Sequence, residues 1–136
     1  MEKPVHTIGF DATVDAALRA MAEFDTGGLI LVKNGAPVGI VTERDIIRKV
    51  IKKNWKGFDE PVYDVASKPL ITVPPGMEIW KAFALIVRKK IRRLPVEEHG
   101  KLVGVVNEWD LFRWAVRVFY EPNIPSELVK LLIQKP

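Results

Sequence analysis

Slid against itself by 65 positions, the chain meets itself without a gap, and this internal repeat constrains its fold more than any other feature. In that register Thr7 meets Thr72, Ala17 meets Ala82, Leu29 meets Leu94, Gly35 meets Gly100, and Val38-Gly39 meets Val103-Gly104. Val41, Glu43, Asp45 and Arg48 then meet Val106, Glu108, Asp110 and Arg113. Ile8 with Val73, Val14 with Ile79, Leu31 with Val96 and Ile46 with Leu111 are conservative matches between these identities. The chain is two copies of one small unit.

Each copy has the same periodicities. Val14, Ala17, Leu18 and Met21 recur at helical spacing, as do Ile79, Ala82, Phe83 and Ile86, so a helix opens each copy. Short apolar runs follow, Leu29 to Val32 and Val38 to Val41 in the first copy and Leu94 to Val96 and Leu102 to Val106 in the second. Asn34-Gly35 and His99-Gly100 separate the runs, which predicts two hairpins. A second helix starts after Thr42 or Asn107, carrying Ile46, Ile47, Val50 and Ile51 or Leu111, Phe112, Ala115 and Val116. Thr7-Ile8 and Thr72-Val73 read as short extended lead-ins, with Pro74-Pro75 holding the second out of helix. The expected organisation is a first repeat over 1–53, a connector and lead-in over 54–69, a second repeat over 70–120 and a helical tail over 121–136, with Ser126 as the tail's N-cap. The predicted class is α/β (α+β), each repeat a helix-strand-strand-helix core, the two packed as a pseudo-twofold pair with functional clefts between them.

Composition narrows the chemistry. A chain of 136 residues, 48% hydrophobic, can build its core without covalent staples. It has no cysteine, which removes disulfides, thiol catalysis and thiolate metal sites, and His6 and His99 are the two imidazoles. No metal site is expected. No base stands beside a nucleophile in any recognisable pattern, so catalysis is not expected either. The apolar runs fall short of the ~20 residues of a membrane span and Met1-Glu2-Lys3-Pro4 resembles no signal peptide, so the expectation is a soluble cytoplasmic protein. The net charge of +4 permits an anionic partner, and Lys52, Lys53 and Lys56 form one basic group and Arg88, Lys89, Lys90, Arg92 and Arg93 another. Nucleic-acid binding is the alternative this charge raises, but no recognition motif accompanies it. A structural assembly unit with empty clefts is a further alternative.

The most informative segment is Gly39-Ile40-Val41-Thr42-Glu43-Arg44-Asp45, repeated as Gly104-Val105-Val106-Asn107-Glu108-Trp109-Asp110. A Thr or Asn three residues before a carboxylate, where a strand passes into a helix, is the pattern of a capping box. The same pattern, in tandem and after a hairpin, resembles the CBS domain, the family named after cystathionine beta-synthase. The resemblance runs from about Val5 to Val118, and includes the Leu94-Pro95-Val96 strand and the Val62-Tyr63-Asp64-Val65 lead-in. It implies a paired module that binds adenosine nucleotides or other adenosyl ligands.

On that resemblance Asp45 and Asp110 accept the hydroxyls of a ribose, as the acidic residue of dinucleotide folds does. Thr42 and Asn107 offer a side-chain donor beside an anion-favouring helix start. Ile40 and Val105 would contact the adenine, Arg44 and Trp109 would line the cleft, and Ser67 is a candidate for the Asp45 cleft. Asn107 and Trp109 depart from the family pattern, so the Asp45 cleft is expected to bind better. Ile91-Arg92-Arg93, just before the first strand of the second repeat, matches the uncharged Thr26-Gly27-Gly28, and Arg92 or Arg93 is expected to capture phosphate. The implied ligand is AMP or another adenine nucleotide as a regulatory ligand, with no catalytic cofactor, and an unidentified protein receives the signal. Trp55, Trp80 and Trp114 read as packing or interface residues. Because the helix after Asp110 is apolar over an arc of about 200°, twice the usual stripe, a homodimer built mainly on the second repeat's helices is expected, anchored by Trp80 and Trp114.

Overall fold

The computed structural model describes residues 4–52 and 57–120. The expected tail helix with Ser126, and Lys53, Trp55 and Lys56, lie outside the described residues. Helices and strands are mixed, and the chain divides into two compact units. One is His6–Leu70; the other begins at Ile71 and is joined by Pro4 and Val5.

The first unit opens with β1 (Thr7–Gly9) and α1 (Val14–Phe24). Thr13 caps α1, its hydroxyl accepting from Ala16 N at 3.1 Å, and Asp25 ends it in the left-handed region at φ 52°. The buried face is Val14, Ala17 and Met21, the spacing expected of one helical stripe. β2 (Gly28–Lys33) and β3 (Ala36–Thr42) pair antiparallel, and β1 lies parallel to β2, giving the order β1-β2-β3. Asn34 and Gly35 make the hairpin turn with φ of 52° and 79°, both positive, as the tight turn matching strand twist requires. α2 (Glu43–Ile51) follows β3 directly.

The connector then closes this unit. α3 (Val62–Val65) is a single turn whose Val62 is fully buried among Val14, Ala17, Leu29 and Val41. Phe58 O and Glu60 O accept from Asp15 N and Val14 N at the start of α1, and Val62 N donates to Ala12 O at 2.8 Å. Glu60 is buried and pairs with Lys49 Nζ of α2 at 3.2 Å. Residues 57–67 are thus tied to α1 and to α2.

The second unit repeats the plan with α4 (Ile79–Lys89), β4 (Arg93–Glu98), β5 (Lys101–Asn107) and α5 (Glu108–Tyr120). The correspondence reaches fine detail. The strand irregularity between Leu31 and Val32 recurs between Val96 and Glu97, and Lys90 ends α4 at φ 54° as Asp25 ends α1. Ile79, Ala82, Leu94 and Leu111 are fully buried, as are Val14, Ala17 and Leu29 at matching positions of the first unit. Apolar identities such as Ala17 with Ala82, Leu29 with Leu94 and Val41 with Val106 fall where side chains have no room to vary.

The lead-ins differ. β1 forms three ladder pairs with β2, whereas Val73 makes a single parallel bridge to Val96. Phe10 N donates to Val32 O at 2.9 Å in the first unit, and the matching residue, Pro75, has no N–H to do so.

On the surface of the first unit, Ile47, Val50 and Ile51 are all exposed on α2. At about 100° per residue these three share one arc while Arg48, Lys49 and Lys52 take the other, so the charges flank the apolar strip rather than interrupt it. The second unit exposes a larger, more aromatic set: Trp80, Val87, Phe112, Val116, Phe119 and Tyr120. Trp114 is half-buried against the second core. Among the described residues no helix is long and apolar enough to cross a membrane.

Candidate functional site

The first candidate site forms where β3 becomes α2. Thr42 is still extended, at φ −120° and ψ 163°, so its side chain can turn back over the first helical amides. Its hydroxyl accepts from Asp45 N at 3.3 Å, and Asp45 Oδ2 accepts from Thr42 N at 2.8 Å. The Thr42 hydroxyl also donates to Asp45 Oδ2 at 3.1 Å. The capping box is therefore reciprocal, and it uses one carboxylate oxygen of Asp45 while fixing the direction of the other. A carboxylate at this end of a helix also complements the helix dipole.

The second oxygen meets the connector. Ser67 Oγ donates to Asp45 Oδ1 at 3.1 Å across 22 residues of sequence. Backbone pairing makes this possible: Ser67 N donates to Ile40 O at 2.8 Å and Ile40 N to Ser67 O at 3.0 Å, so Ser67 continues the sheet past β3. Gly39 leaves room for this pairing, since a Cβ there would stand 3.0 Å from Ser67 O and press on the connector backbone. Glu43 N donates to Gly27 O at 3.1 Å, which brings the uncharged Gly27-Gly28 to the same turn. Ile40 and Asp45 are half-buried and Arg44 and Ser67 exposed. The first-repeat candidates, Ile40, Thr42, Arg44, Asp45 and Ser67, thus belong to one corner.

The second unit builds the matching corner from different side chains. Asn107 Oδ1 accepts from Asp110 N at 2.8 Å and Asp110 Oδ2 accepts from Asn107 N at 3.0 Å, so Asn107 performs the cap expected of Thr or Ser. Glu108 N donates to Arg92 O at 3.0 Å, and Arg93 pairs with Asn107 across the hairpin. Both arginines therefore flank this turn, and Arg92 Nε stands 3.9 Å from Glu108 Oε1 with both side chains more than half exposed. Ile91 is half-buried against the second core, its N–H closing the end of α4 on Ile86 O. Val105 is buried where Ile40 is half-buried. Trp109 stacks on Phe112, ring centroids 5.5 Å apart.

Sequence reading did not anticipate one contact here. Arg113 Nη2 donates to Asp110 Oδ1 at 2.7 Å, and the Asp110 side chain is only 10% exposed. The signal lay in the repeat itself, which places Arg48 and Arg113 three residues beyond the two carboxylates. Among the described residues no group of three or more His, Asp or Glu side chains is arranged to hold a metal ion.

Comparison with known proteins agrees with this architecture. The chain matches the CBS domain over residues 1–52 and again over 62–117. It is 39% identical over 112 residues to a protein of Methanopyrus kandleri, an alignment that covers 81% of this chain and 56% of the relative. It is 32% identical over 111 residues to the CBS domain-containing protein YhcV of Bacillus subtilis, covering 82% and 79% of the two chains. The chain thus spans little more than half the length of the Methanopyrus relative. Among solved structures, a CBS domain protein of Pyrobaculum aerophilum complexed with AMP aligns with a TM-score of 0.70 at 26% identity, over 85% of this chain and 95% of that one. Two matches in tandem, each containing its own capped strand-to-helix turn, establish that this chain belongs to the CBS domain family and carries the domain twice.

Proposed function

We propose that the chain is a non-catalytic regulatory module that binds an adenine nucleotide, AMP foremost, with ADP or ATP as variants, and passes its occupancy to a partner protein. The observation that carries this is the state of Asp45. Thr42 immobilises the carboxylate through Oδ2, while Oδ1 is engaged by the side-chain hydroxyl of an exposed serine. A ribose presents two hydroxyls, the same chemistry Ser67 already offers, so ligand can replace or share that bond without unmaking the cap. Ile40 beside it supplies an apolar edge for the base. The AMP complex of the Pyrobaculum aerophilum relative supports the nucleotide class.

The test compares melting curves with AMP, ADP and ATP against single- and double-stranded oligonucleotides. Stabilisation by nucleotides alone supports the reading; stabilisation by oligonucleotides alone would replace it with nucleic-acid binding. Mass spectrometry of the denatured, freshly purified protein would name the ligand that travels with it.

Arg92 and Arg93 are assigned to the phosphate. Guanidinium forks match phosphate oxygens, and a charge-assisted bond is about twice as strong as a neutral one. Replacing either with Gln is expected to weaken AMP at the Asp110 corner, whose turn they flank, by about tenfold and adenosine there hardly at all. Equal losses for the two ligands would place the arginines elsewhere.

The exposed aromatic faces of α4 and α5 are proposed as the larger part of a homodimer interface, with Trp80 and Trp114 as anchors and the strip on α2 contributing. Light scattering is expected to give twice the chain mass at micromolar concentration, falling to a monomer in the Trp80→Ala, Trp114→Ala double variant. A monomeric wild type, or a dimer indifferent to both changes, defeats this proposal.

A further inference from the structure

The two corners differ in what faces the carboxylate oxygen that the cap leaves over. At Asp45 it is a neutral hydroxyl, Ser67 Oγ, at 3.1 Å. At Asp110 it is a guanidinium, Arg113 Nη2, at 2.7 Å, on a carboxylate whose side chain is 10% exposed. We infer that Arg113 is an internal competitor for ribose, so that nucleotide enters through Asp45 while the Asp110 corner stays closed until its ion pair opens. This rests on the reading of both aspartates as ribose acceptors.

The physical reasoning is a comparison of exchanges. At Asp45 a ribose hydroxyl replaces one neutral donor with another, and the displaced serine, being exposed, returns to water at little cost. At Asp110 the incoming hydroxyl must replace a charged donor held at short distance, and a neutral bond does not recover a charge-assisted one. Oδ2 is turned inward on Asn107 N–H, as Oδ2 of Asp45 is on Thr42, so in both corners the outward oxygen is the one a ligand meets. Arg113 itself is 63% exposed, and so its removal opens the carboxylate without emptying any of the core. Arg48 occupies the matching position of the first repeat, yet there the connector delivers Ser67 to the same oxygen. The difference lies in the contact made rather than in the residue type.

Isothermal calorimetry with AMP tests this on the full chain. Wild type is expected to bind one AMP per chain, with loss of that site in Asp45→Ala. Arg113→Ala and Arg113→Gln are expected to bind two, the new site at least about tenfold tighter than any second event in wild type, because that is the factor carried by about 1.4 kcal/mol of lost competition. Adding Asp110→Ala to Arg113→Ala should return the stoichiometry to one, and Arg113→Lys, which keeps the charge, should remain at one. Arg113→Gln keeps much of the side chain and guards against a folding defect in the alanine variant, checked by its melting curve without ligand. A stoichiometry of one in both neutral variants, or of two in wild type, overturns the role of Arg113 and leaves nucleotide binding standing. No AMP binding by wild type or by any variant overturns both.

Discussion

AMP at a thousand times its dissociation constant is expected to raise the unfolding free energy by about 4 kcal/mol for one occupied site, since ligand bound only to the folded chain stabilises it by mass action. For a chain of this length each kcal/mol moves the melting temperature by roughly 3 °C, so the curve should shift by about 12 °C. The effect is large because the site is assembled by folding. Thr42, Asp45 and Ser67 come from β3, α2 and the connector, and the unfolded chain cannot hold them together. A curve unmoved by millimolar AMP, ADP and ATP alike sinks the nucleotide reading.

Asp45→Ala is expected to weaken AMP by at least a hundredfold, whereas Asp110→Ala changes it little. Hydrogen bonds to a charged group are each worth about 1.5–3 kcal/mol, and a ribose offers two hydroxyls to the carboxylate. The substitution also removes half of a capping box, at about 1 kcal/mol of stability, which should leave the fold intact. Asp45→Asn separates the two effects, because an amide oxygen can still accept from Thr42 N without the charge. Calorimetry on these variants decides the ranking of the two corners, and a greater loss from Asp110→Ala would reverse it.

These expectations rest on features that differ in how far they can be read along the chain. Both hairpins are local, since Asn34-Gly35 and His99-Gly100 carry the positive φ the turns need. Both capping boxes are local too, because three residues span the contact from Thr42 to Asp45 or from Asn107 to Asp110. The 65-residue repeat is equally plain in sequence, and it names the cores, because both members of pairs such as Leu29 and Leu94 or Ala17 and Ala82 are buried, each in its own unit.

What stands at the outward oxygen of Asp45 was decided by tertiary structure. Ser67 reaches Asp45 because backbone pairing with Ile40 carries the connector past the end of β3, and nothing near residue 45 in sequence announces that. Val62 and Glu60 join the first unit for the same reason, through bonds to the start of α1 and to Lys49. Arg48 and Arg113 are identical residues at matching positions, but Arg113 meets its aspartate while at Asp45 the serine takes that place. Periodicity and spacing determine contacts within a turn or a few residues, where chain geometry leaves few alternatives. Contacts between distant segments depend on which surfaces the packed core brings together, so the repeat determined two corners that differ at Thr42/Asn107 and Arg44/Trp109, and the fold added Ser67 to one of them.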